Sequence, residues 1–251
     1  DHRDLHSFPT RRSSDLGNIE YRADENITVG FGLSSESVVP SLRETNIFTV
    51  YNSSSFASGL SLKIDSRDDP YAPTKGIYLF NSYWLSQKKI HGPEEFISEN
   101  IERSLRILKV YFDFSVYYEL FNRQVFAAAI HARELNSSIT EISDLFFLGG
   151  TNSLRGYREN QFQGGRVIWS NLEYRYLLSK RTFAFTFVDV GYYLRKEDLK
   201  LKINQSEAIK PGYGVGLNLE TGLGVITISF ALAKGESFSE GKIHFGLINE
   251  F

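Results

Sequence analysis

From Gly17 to Phe251 the chain reads as a succession of segments, roughly ten residues each, in which apolar and polar side chains alternate. Alternation with a period of two places one set of side chains on each face of a β-strand. Eleven strands are predicted, at 17–23, 26–37, 55–66, 77–86, 105–119, 123–134, 165–177, 182–194, 209–219, 222–234 and 241–251. In the last of these Ile243, Phe245, Leu247 and Phe251 share one face, while Lys242, His244, Gly246 and Glu250 share the other. The preceding one sets Ile226, Ile228, Phe230 and Leu232 against Thr227, Ser229 and Ala231. One face suits hydrocarbon and the other a wet interior, although a sandwich with one solvated face would alternate in the same way.

The connections separate these possibilities. Short turns at 24–26, 120–122, 178–181 and 219–222 interleave with long polar loops at 38–54, 87–102, 135–164, 195–208 and 234–240. The turn at 65–76, DSRDDPYAPTKG, is the one long member of the short series. Short turns on one rim and long loops on the other are the pattern of an up-and-down outer-membrane barrel. The predicted fold is therefore all-β, an antiparallel up-and-down transmembrane β-barrel. Tyr174, Tyr176, Tyr192 and Tyr193 lie toward strand ends, where an interfacial girdle would stand, though core packing would also put them there.

Composition narrows the function classes. The 251 residues include no cysteine and no methionine and carry a formal charge of −2. This disfavours a disulfide-stapled module, a zinc-finger array and a basic nucleic-acid binder. No apolar run reaches the roughly 18 residues of a spanning helix. The missing methionine points to a fragment. Residues 1–16, DHRDLHSFPTRRSSDL, show neither period and resemble the conceptual translation of a sequencing adapter. They are set aside as a non-native segment, leaving 17–251 as the domain.

Four segments carry a resemblance to a family: FFLGGTNSLRGYREN (146–160), DSRDDPYAPTKG (65–76), FVDVGYY (187–193) and PGYGVGLNLETGLGVITISFA (211–231). Taken in their order along the chain, they resemble the C-terminal barrel of the BamA/TamA superfamily of outer-membrane assembly factors, of the bacterial surface antigen type. The likeness covers essentially all of 17–251. The family's V/I/L-R-G-F/Y tetrapeptide stands here as Leu154, Arg155, Gly156 and Tyr157. The resemblance implies that this loop folds into the barrel and that its arginine meets Glu173 and Asp189. Strand parity agrees, since Asn171, Glu173 and Arg175 share the polar face of one strand and Asp189 shares a face with Phe187 and Gly191. Gly191 would leave space for an inserted loop.

A family barrel has sixteen strands, five of them after this loop. Six precede the loop here, so a partial barrel of about eleven strands is expected, with the remaining strands and periplasmic POTRA domains upstream. His244, Gly246 and Phe251 resemble a C-terminal assembly signal, with Asn249 in a slot that is usually apolar. In the family this strand forms the lateral seam.

The expected function is outer-membrane protein insertion, without catalysis, by seam templating and membrane thinning in the bacterial outer membrane. The expected partners are outer-membrane lipid and nascent barrel clients, with no nucleic acid, cofactor or metal. A two-partner secretion translocator, a patatin-fused barrel, a passive porin and a soluble β-sandwich are the alternatives. Gly212, Gly214 and Gly216 superficially suggest a phosphate loop, but no helix follows, and a close-packed barrel strand fits better. His91, His131 and His244 have no metal-ligand spacing.

Overall fold

The computed structural model describes residues 10–40, 51–92, 102–197, 204–222 and 224–248. Among them, eleven strands form one antiparallel sheet in chain order. They are β1 (Thr10–Arg22), β2 (Ile27–Pro40), β3 (Asn52–Asp65), β4 (Gly76–Gly92), β5 (Ser104–Phe121) and β6 (Gln124–Asn136), then β9 (Arg166–Leu177), β10 (Phe183–Arg195), β11 (Ser206–Thr221), β12 (Gly224–Ala233) and β13 (Lys242–Ile248). Between β6 and β9, which pair directly, a long loop carries its own two-stranded hairpin, β7 (Phe146–Leu148) with β8 (Phe162–Gly164). No pairing joins β1 to β13 among the described residues, so the sheet is an open stretch of barrel wall.

The alternation in the sequence becomes two unlike faces. Phe31, Phe56, Leu60, Tyr83, Leu172, Val188, Val215, Leu217, Ile228, Ile243 and Phe245 all remain exposed on the outer face. An apolar face of this extent is the kind a bilayer covers. The inner face of β10 holds Phe183, Phe185, Phe187, Asp189 and Gly191, all buried. No helix among the described residues is long and apolar enough to cross a membrane, which says nothing of strands.

Four local features differ from the sequence reading. β1 begins at Thr10 rather than Gly17, and Thr10 to Leu16 pair with Pro40 back to Ser34. An edge strand needs only a neighbour's free backbone groups, so a segment without alternation can still add to it. β4 continues through Gly92, taking in residues assigned to a loop. Past Ser86 the run Gln87, Lys88, Lys89 is polar on both faces, and Ile90 alone does not restore the period. Tyr193 faces inward and stacks on Phe162 at 5.1 Å between ring centroids, so it is no girdle residue, while Tyr174 and Tyr176 are exposed outside. The hairpin β7–β8 is too short to leave a pattern.

The core lies inside the wall. Leu148, Leu154, Tyr157, Val167, Trp169 and Ala233 form a buried cluster joining the loop to β9 and β12. Tyr51, Ile90, Leu105, Ile107 and Leu135 form a second, covered by Ile139 and Phe146 of the loop. Ala72 packs with Phe183, Phe185, Phe187 and Ala231 in a third.

Candidate functional site: an inward loop clasped by two carboxylates

The loop between β6 and β9 turns into the space beside the inner face, and local chemistry shapes its tip into a hook. Gly149 and Gly150 have φ of 120° and 98°, a region that favours glycine. The Gly150 N–H donates to the Leu154 carbonyl at 3.0 Å and the Gly149 N–H to Ser153 Oγ at 2.9 Å. Glu159 accepts from the Thr151 N–H at 2.7 Å, tying the outgoing limb to the incoming one.

At the tip of the hook Arg155 is 7% exposed. Its Nε and Nη2 donate to Asp189 Oδ2 and Oδ1, both at 2.8 Å, and its own N–H adds a bond to Oδ2 at 3.0 Å. Nη1 donates to Glu173 Oε1 at 2.7 Å. Asp189 is 0% exposed, and its remaining demand is met by Asn171 Nδ2 at 2.8 Å, which also donates to the Ser153 carbonyl. The guanidinium lies over the Phe187 ring, 3.6 Å from its centroid. A planar fork between two carboxylates, backed by an aromatic face, uses the features that set arginine apart from lysine.

The rest of the tetrapeptide fills matching gaps. Leu154 is fully buried, and a Cβ placed on Gly191 would lie 2.8 Å from Leu154 Cδ2 and 2.9 Å from Leu148 Cδ2. Gly156 has φ of 94°, and a Cβ there would come within 2.8 Å of the Leu232 backbone. The Tyr157 hydroxyl donates to the Pro211 carbonyl at 2.9 Å.

The glycines of β11 have the same logic. Gly212, Gly214 and Gly216 stand opposite Asp189, Phe187 and Phe185. A Cβ at Gly212 would collide with the Arg155 carbonyl, and one at Gly216 with the Phe185 ring. These glycines therefore allow close approach of the loop and the phenylalanines.

His244 on β13 is buried, and its Nε2 accepts the Gly156 N–H at 2.9 Å, which places the ring proton on Nδ1. Gly246 lies nearby, where an added Cβ would sit 3.3 Å from Thr151 Cγ2. The tip thus touches every strand from β9 to β13. Phe251 and Glu250 lie outside the described residues.

Three groups were not placed in the interior contacts by the sequence reading. Lys88, assigned to a loop, is buried on β4 and pairs with Glu141 at 3.0 Å and Asp144 at 2.8 Å, near the root of the long loop. Glu141 also accepts the Tyr51 N–H at 2.9 Å, and burial pushes its carboxyl up against the pull of Lys88. The second group is the inner phenylalanine row, of which only Phe187 was singled out. The third is the 66–75 segment, which folds inward at the short-turn rim and seats Ala72 on that row. Strand parity identified Lys88 only if β4 was extended, and contacts across the interior have no period to betray them. Among the described residues no group of three or more His, Cys, Asp or Glu is arranged to hold a metal ion.

Residues 8–251 match the family model described as the Omp85 superfamily domain. Among solved structures, the fold is similar to BamA from Haemophilus ducreyi lacking POTRA domains 1–3, with TM-score 0.64 and 18% identity over 94% of this chain and 53% of that one. The chain therefore spans about half of that protein's length. CdiB from Acinetobacter baumannii gives TM-score 0.47 and 12% identity over 95% of this chain and 50% of that one. The translocator domain of the autotransporter NalP from Neisseria meningitidis gives 0.34 and 14% over 94% and 77%. A search of curated proteins finds no match. With the family model spanning almost its whole length and a barrel wall of BamA type, this chain belongs to the Omp85 superfamily.

Proposed function

We propose that this chain is barrel wall from a bacterial outer-membrane factor that inserts other β-barrel proteins, working without covalent chemistry through a lateral seam at β13 and local membrane thinning. The observation that carries this reading is the Arg155 clasp, an inward loop tip tied to five consecutive strands ending at β13. Such a tip can hold the seam-side wall in register while the outer face meets lipid. A client strand would add to the β13 edge by β-augmentation. Outer-membrane lipid, nascent barrel clients and upstream POTRA domains are the partners this role requires. In the same reading Leu154, Gly156, Tyr157, Phe187 and Gly191 seat the tip, and His244 and Gly246 meet it from the seam strand. The inward loop counts against a passive porin, because a buried plug fills space that permeation would need.

The test uses the whole protein in liposomes of outer-membrane lipid. Arg155→Glu and Asp189→Arg are each expected to slow insertion of a test barrel by about tenfold or more, and the double variant to recover part of the rate. Unchanged insertion in both single variants would remove the clasp from the function. Steady single-channel conductance with no insertion would make the protein a channel. Passage of a partner polypeptide without insertion would make it a secretion translocator.

A further inference from the structure

The long loop is not alone in entering the interior. From the opposite rim the segment 66–75 also turns inward, and its contacts show a built strap rather than a slack turn. Asp69 is buried and accepts N–H groups of Tyr71 at 2.9 Å and Ala72 at 3.0 Å. Its other oxygen accepts from Arg181 Nε, in the β9–β10 turn, at 2.8 Å. Asp68 closes the outgoing half through the Thr74 and Lys75 amides at 2.9 and 3.1 Å and the Thr74 hydroxyl at 2.6 Å. At the exit Gly76 has φ of 102°, and a Cβ there would collide with the Ser66 carbonyl. Ala72, 2% exposed, rests among Phe183, Phe185 and Phe187.

The strap and the loop tip meet on the same two supports. Glu173 accepts Arg155 Nη1 on Oε1 and Arg175 Nε on Oε2, at 2.7 and 2.8 Å. Arg175 Nη1 in turn donates to the Pro73 carbonyl of the strap at 3.3 Å, while its guanidinium lies 4.9 Å from the Phe183 ring centroid. The phenylalanine row is the second support, with successive centroids 5.8 and 5.9 Å apart. Arg155 lies over its Phe187 end, Arg175 over its Phe183 end, and Ala72 against the row.

We infer that the loop tip and the strap are one coupled device, with Arg175 as the positioning residue that passes the state of Arg155 to the short-turn rim through Glu173 and the phenylalanine row. With Arg155 in place, Glu173 is held between two cations and Arg175 is oriented toward Pro73. When the tip withdraws, Glu173 keeps Arg175 as its one cation and is free to draw that guanidinium away from Pro73, Phe187 loses its stacked cation, and the strap loosens. A change on the long-loop side is thereby felt at the other rim without backbone movement along the strands. Coupling of this kind is a free energy shared by two sites and must be reciprocal.

The inference rests on the inward loop of the proposed function but not on any client, so its readout is structural. The chain has no cysteine, so Ala72→Cys introduces a single buried reporter on the strap. In the whole protein in its membrane, maleimide labelling of this reporter is expected to rise on the order of tenfold on adding Arg155→Ala and also on adding Arg175→Met. The two together should exceed the larger single effect by less than twofold, since both break one linkage. Arg175→Lys should restore part of the protection, because a lysine still reaches Glu173 but does not fork to Pro73. If Arg155→Ala disrupts the barrel, the reverse arm decides: Asp69→Ala, at the far end of the strap, should raise labelling of Leu154→Cys at the loop tip. Strap labelling that responds to Arg175→Met yet stays within twofold of the parent with Arg155→Ala, or tip labelling indifferent to Asp69→Ala, would overturn the coupling. A parent protein that inserts no test barrel but shows this labelling pattern would leave the coupling standing and refute only the assembly role.

Discussion

The two ends of the sheet share the same regular antiparallel pairing and differ in what lies against them. At β9–β13 the inner face carries a loop tip, a strap and a row of phenylalanines, and Asp189 there is 0% exposed. At β1 both faces are open, with Ile19 74% and Tyr21 72% exposed on one and Asn18 and Glu20 exposed on the other. Pairing of β1 with β2 is as regular as that of β10 with β11. Hydrogen-bonded pairing alone therefore makes wall, and inserted segments turn wall into core. The glycines show the same contrast: a Cβ at Gly17 would meet nothing within 4 Å, whereas one at Gly212 would strike the loop backbone.

The largest effect expected from breaking this contrast is at the clasp. Asp189→Ala strands Arg155 with one carboxylate and removes one of the two acceptors of Asn171 Nδ2, at a cost of about 3–5 kcal/mol. Heat-modifiable gel mobility and the melting of β-structure in the whole protein would read this loss. Ile19→Ser on β1, by comparison, should leave both readouts unchanged in detergent.

Next comes Lys88→Met, which leaves Glu141 and Asp144 buried without their cation. It should cost about 3 kcal/mol, and Lys88→Met with Glu141→Gln and Asp144→Asn should recover most of that. A triple variant as unstable as the single one would show that shape, not charge, sets the cost.

A glycine series sharpens the comparison further. Gly212→Ala should destabilise by about 1–3 kcal/mol, because the obstructing Arg155 carbonyl is backbone. Gly59→Ala meets the Trp84 ring, a side chain that can shift, and should cost less. Gly17→Ala should be neutral. A flat series would mean that the inserted tip is not seated on β11.

The smallest effects are in pH and on the rim. Burial alone would raise the Asp69 carboxyl, but the Arg181 guanidinium and the Tyr71 and Ala72 amides hold it below the usual carboxylate range. A depressed folded value means that the strap's anchor is at full strength above the ordinary carboxylate value, about 3.9, and is lost as pH falls through the lower one. Amide exchange at Tyr71 and Ala72, corrected for intrinsic rate, should quicken only at strongly acid pH, and Asp69→Asn should abolish that pH dependence. On the rim, Arg166 pairs with Glu134 in an exposed bidentate contact, and Arg166→Ala should shift stability by at most about 1 kcal/mol.

Much of this architecture was legible in the residues alone. The number and order of the main strands followed from alternation, and the inward direction of Glu173, Asp189 and His244 followed from parity. The partners of Arg155 came from a resemblance in its tetrapeptide, which parity supported without being able to measure distance. Lys88 was hidden because the polar run Gln87, Lys88, Lys89 interrupts the apolar period of β4. Arg175 was visible as an inward residue but not as a link to Pro73, which lies 102 positions earlier. The strap looked like an overlong turn because nothing in DSRDDPYAPTKG says which way it folds.

By itself the sequence determined which side chains face outward and which face inward, since the two-residue repeat of a strand is a local property of the backbone. It also determined where the chain could turn sharply, through the glycines at 149, 150 and 156. Only the tertiary structure decided that two segments from opposite rims would share Glu173 and one phenylalanine row. Such contacts depend on the distance across the interior, and that distance is set by how the whole sheet bends rather than by any stretch of residues within it.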